Sequence, residues 1–168
     1  MIINRIKSYF IILKASSFQG RGQFEKVIEL SLIALKLYPK SHPALLFLAD
    51  DYPRLGKIEN AKEILNSALK LFPNDWQFNY IMAEVIIKNK DAIENAIPYL
   101  KTYLKYRPKK RGVFPFYMKI VSKLFGINFN WDKYSDELND NENSQYQWAS
   151  NILQMYEKDN QSIDQTEG

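Results

Sequence analysis

The chain has no cysteine, a single histidine, six glycines and no long apolar run among its 168 residues. The first absence excludes a disulfide framework and any thiolate chemistry, and fits a reducing compartment. One histidine without cysteine leaves no basis for a zinc or nucleophile constellation, because such sites need convergent partners. No stretch approaches the ~20 apolar residues that cross a bilayer. There is no phosphate-binding glycine loop, no dinucleotide fingerprint and no Gly-x-Ser-x-Gly elbow. A net charge of +4 is too small a basic excess for nucleic-acid binding, and no recognised reading motif accompanies it. The expectation is a non-enzymatic protein without cofactor or metal.

What remains is ordinary for a globular chain, with 46% hydrophobic and 25% charged residues. The opening segment places Arg5 and Lys7 before the apolar Tyr9–Leu13 run. Lys14 interrupts that run and no clear cleavage site follows, so it reads as a buried first helix rather than a signal peptide. The expected location is the cytoplasm, or peripherally the inner membrane surface.

The most informative signal is an internal repeat. Pro39, Pro73 and Pro108 close successive amphipathic segments at spacings of 34 and 35. Ala15, Ala49 and Ala83 recur every 34 residues, as do Ala34 and Ala68, while Ala61 and Ala96 are shifted by one. Gly22 and Gly56 mark turns in the first two copies. Each copy predicts two antiparallel helices that cross at small residues, with proline ending the second. The predicted helices run over 2–17, 23–38, 43–54, 58–72, 75–88 and 92–106. Pro53 is expected to end its helix early, and Pro98 to bend the last one. One hairpin cannot bury its apolar face alone, so neighbours stack.

These residues resemble the tetratricopeptide repeat, over about Ser8 to Lys109. The middle copy fits best, through Leu45, Leu48, Ala49, Tyr52, Gly56, Ala61, Leu65, Ala68 and Pro73. The first departs at Lys14 and Val27. The third lacks the turn glycine, has Tyr103 where alanine is usual, and carries an extra residue near Lys88–Asp91. The resemblance implies an all-α, right-handed solenoid of antiparallel helix hairpins, with three repeats over 1–110. A helical extension over 111–158 would hold the capping helices, followed by a disordered tail over 159–168.

The resemblance also implies that the first helix of each pair lines a groove. The candidate groove residues are Tyr9, Ile12, Ser16 and Gln19, then Leu46, Asp50, Pro53 and Arg54, then Tyr80, Glu84 and Ile87. Asp50 and Glu84, one repeat apart, argue against gripping an acidic chaperone tail. A partner peptide or helix with apolar anchors and a basic residue fits better. Asp50, Asp51 and Glu84 together could also be read as a carboxylate site, although peptide contacts or plain solvation suit them better. The function implied is a protein-binding adaptor or scaffold.

Beyond Pro108 lie Lys109, Lys110 and Arg111, then an amphipathic segment to Phe125 carrying Lys119 and Lys123. Its apolar face can cap the third repeat. The alternative is a peripheral membrane protein that touches anionic lipid through 109–125. If the solenoid end stays uncapped, self-association is a further expectation. A last helix is expected over 144–158, with Trp148, Ile152, Met155 and Tyr156 as its apolar stripe.

Overall fold

The computed structural model describes residues 2–107, 143–158 and 160. Two compact units divide the chain, Met1–Tyr106 and Arg107–Gly168. The first unit holds α1 (Ile2–Gln19), α2 (Phe24–Leu37), α3 (His42–Arg54), α4 (Ile58–Leu71), α5 (Trp76–Lys88) and α6 (Ile97–Tyr106). A short 3-10 turn, Ile93–Asn95, precedes α6. Each helix packs on the next, and α3 also packs on α5. This is a solenoid of three helix hairpins.

The repeating residues do the packing. Ala15, Ala49, Ala83, Ala34, Ala68, Ala61 and Ala96 are all 0% exposed, so each sits where two helices approach closely. Val27, where the other copies have alanine, is equally buried. Lys14 is exposed, while Leu48 and Met82, one and two periods on, are buried.

The turn inside each hairpin closes the same way. Gly22 donates to the Gln19 carbonyl at 2.9 Å and Gln23 to that of Phe18 at 3.1 Å. Gly56 and Lys57 repeat the pair with Pro53 and Tyr52, and Lys90 and Asp91 with Ile87 and Ile86. This is the Schellman arrangement, which requires one left-handed residue. Gly22 and Gly56 take φ 70°, and Lys90, in the third copy, takes φ 59°. The 34-residue register therefore holds through Lys90. The extra residue falls just after this turn, between Asp91 and Ala96. The 3-10 turn absorbs it.

That turn also corrects the reading of Pro98. The expected helix over 92–106 begins only at Ile97, so Pro98 sits in the first turn of α6. No intrahelical partner is needed for its nitrogen there, and the helix loses nothing. Pro53 does not end α3 early either, since the helix runs on to Arg54.

His42 starts α3. Its Nε2 lies 2.8 Å from Asp75 Oδ2, and its ring packs on Phe72 and Phe78. Asp75 in turn caps α5, accepting from the backbone nitrogens of Gln77 and Phe78. Burial alone would raise the Asp75 pKa. The His42 contact and the two backbone donors outweigh it, and the pKa is lowered. This link joins the start of one repeat to the start of the next.

In the second unit, a helix spans residues 143–158. Ala149 and Leu153 are its buried residues, whereas Met155, expected in the stripe, is 62% exposed. Arg107 lies 3.9 Å over the Tyr146 ring. The amphipathic segment to Phe125 with its basic cluster lies outside the described residues, as does the expected tail 159–168 apart from residue 160.

Candidate partner-binding surface

The best-defined polar cluster lies where the end of α1 meets the end of α3. Arg54 grips Asp50 one helical turn away, its Nη2 donating at 3.0 Å to Oδ2 and at 3.2 Å to Oδ1. The guanidinium also lies 5.4 Å over the Phe24 ring. Gln19 Nε2 donates across from α1, at 3.5 Å to Asp50 and 3.4 Å to Asp51. These last two bonds are long and therefore weak.

Asp51 is the unexpected member. It is 0% exposed, and among the described residues its Oδ2 has no hydrogen-bond partner. Its Oδ1 has Gln19 and, at 3.7 Å, the Arg54 Nε. Burial and then the neighbouring Asp50 charge raise its pKa from 3.8 to about 6, against the weaker pull of Gln19 and Arg54. One signal in the sequence marks this position. Asp51 stands 34 residues before Val85, which is also buried.

On α5 the pattern recurs without the buried acid. Glu84 pairs with Lys88 at 2.7 Å. Tyr80 is half-buried beside Tyr103, with ring centroids 5.2 Å apart. Burial first, then the charges of Glu84 and Asp50, raise the Tyr80 pKa. Asp50, Tyr80 and Glu84 thus share one electrostatic neighbourhood across two repeats. Both groove acids already hold an intrahelical cation, so neither presents a bare charge.

The remaining candidates divide. Tyr9, Ser16 and Arg54 are exposed, and Leu46 and Ile87 are half-buried. Ile12 does not line an open face. It is 5% exposed and packs in the core with Ala34 and Ala44. Among the described residues, no three His, Cys, Asp or Glu side chains are placed to hold a metal. Lys109, Lys110, Arg111, Lys119 and Lys123 lie outside the described residues.

No protein-family model matches the chain, and no curated protein matches it significantly. Solved structures do. The chain is similar to a point mutant of the Thermobaculum terrenum O-GlcNAc transferase, with 21% identity and a TM-score of 0.58. The match covers 63% of this chain and 20% of that one. At that identity and coverage the likeness bears on the helical fold alone.

Proposed function

We propose that the chain is a non-enzymatic docking scaffold of tetratricopeptide type. Its groove holds a peptide or helix of a partner protein. The observation that carries this reading is the column Ser16, Asp50 and Glu84. It recurs every 34 residues on the first helix of each pair, flanked by half-buried Leu46 and Ile87. A ladder of that kind can read an extended or helical ligand at repeated intervals. Apolar anchors of the partner would cover Leu46 and Ile87. A basic residue would compete with Arg54 or Lys88 for its carboxylate.

The test is capture of partner proteins by the full chain and by Asp50→Lys/Glu84→Lys. Both positions are half-exposed, so the double variant keeps the wild-type far-ultraviolet dichroism. Capture is expected to drop by about tenfold or more, since reversed charges repel a basic ligand. Equal recovery by a folded variant would remove the groove assignment.

A further inference from the structure

The first helix is not the buried solenoid element its sequence position implied. Ser8, Ile12 and Ala15 are its buried residues. Its opposite side carries Ile2 at 75%, Ile3 at 65%, Ile6 at 49%, Tyr9 at 58%, Phe10 at 64% and Leu13 at 49% exposure. At 100° per residue these six share one continuous face. Arg5 borders the face on one side, and Lys7 and Lys14 on the other. The helix IINRIKSYFIILKASSFQ contains no acidic residue.

The repeat register shows that part of this helix is surplus to the stack. α3 begins at His42 and α5 at Trp76, which places the equivalent start of α1 at Ser8. α1 begins instead at Ile2, so six residues run past the hairpin, about 9 Å of helix. Three of those six are exposed isoleucines and two are cations.

The same register argues against two occupants. Lys14 is exposed where Leu48 and Met82, one and two periods on, are buried, so a further hairpin that covered this column would bury a cation among apolar groups. A two-fold contact through this face would bring Arg5, Lys7 and Lys14 of one copy near the same set of cations on the other, with no acidic residue on α1 to offset them. An anionic bilayer surface suits both halves of the face. Its headgroups take the bordering cations and its acyl boundary takes the isoleucines and aromatics.

A cavity of about 690 Å3 opens beside this segment, lined in part by Arg5, Lys40 and Ser8. The Ser8 hydroxyl is buried and has no hydrogen-bond partner among the described residues. Arg5 lies 5.7 Å over the Tyr38 ring. A lipid phosphate near the face would meet two cations there.

We propose that the outer face of α1 docks the protein onto anionic membrane surfaces. This does not rest on the groove reading, because the residues are separate. Among the described residues no helix is long and apolar enough to cross a membrane, so the contact is interfacial.

The test is co-sedimentation of the full chain with phosphatidylcholine vesicles, with and without phosphatidylglycerol at about one lipid in three. Wild type is expected to sediment with the anionic vesicles only, and to be released severalfold by high salt. Ile6→Glu/Phe10→Glu alters exposed positions, so it should melt like wild type while binding falls about tenfold or more. Lys109→Ala/Lys110→Ala/Arg111→Ala should retain most of the binding. Absence of anionic-vesicle binding at low salt overturns the proposal. So does a loss that follows the triple variant and spares the α1 variant. So, too, does a dimer in light scattering that the α1 variant dissolves without any vesicle binding.

Discussion

Truncation of Tyr103 to alanine is expected to cost about 3–5 kcal/mol, although alanine is the usual residue of that repeat column. The column holds Ala34 and Ala68 in the first two hairpins, both fully buried. In the third, Tyr103 is 1% exposed and is among the largest buried side chains. Its ring lies 6.2 Å from Trp76 and 5.2 Å from Tyr80, centroid to centroid. Truncation therefore removes buried apolar surface and leaves a cavity, and it breaks two aromatic contacts. Against a total stability of about 5–15 kcal/mol this is a large fraction. Urea unfolding of Tyr103→Ala beside Tyr103→Phe measures it. A loss below about 1 kcal/mol for the alanine variant would contradict the packing described here.

The second large effect is at Asp51, and it depends on pH. The carboxyl is buried, half-partnered and raised to about 6 from 3.8. Between those two values the folded chain binds more protons than the unfolded one. By linkage, this group makes stability fall as pH rises through that window. A shift of about two units corresponds to about 3 kcal/mol, lost in full above the folded pKa and restored below the unfolded one. Asparagine keeps the oxygen that faces Gln19 and cannot ionise. Asp51→Asn is therefore expected to be more stable than wild type by about 2–3 kcal/mol at pH 7.5, and near-equal to it at pH 4. Chemical unfolding of both proteins across that range checks it. A difference that does not vary with pH would show that folding leaves the Asp51 pKa unshifted and would contradict the burial described here.

The fold was largely legible because the spacing of small residues and prolines carries it. Alanines at 34-residue intervals marked the helix crossings, and two glycines marked two of the three hairpin turns. The third turn was hidden, because Lys90 adopts the left-handed conformation that only glycine announces. Pro98 was misread for a related reason. Helical periodicity does not reveal a 3-10 turn that delays a helix by a few residues.

The surface was less legible. Asp50 and Glu84 were found by their spacing, but their intrahelical pairing with Arg54 and Lys88 softens the acidic groove that spacing suggested. Asp51 escaped because charge argues for exposure, while its column argues for burial, and the column decided. Ile12 went the other way, from groove candidate to core. The exposed face of α1 could not be seen from hydrophobicity, since a buried and an uncovered apolar face read alike in sequence.

The proposed function places a partner protein against the first helices of the repeat stack. Site-specific photo-crosslinking in the native host tests this most directly. A crosslinker at Leu46, half-buried on α3, is compared with one at Asn66, exposed on α4. A discrete protein adduct is expected from Leu46 and none from Asn66. No adduct at Leu46, or the same adduct from both positions, would contradict it.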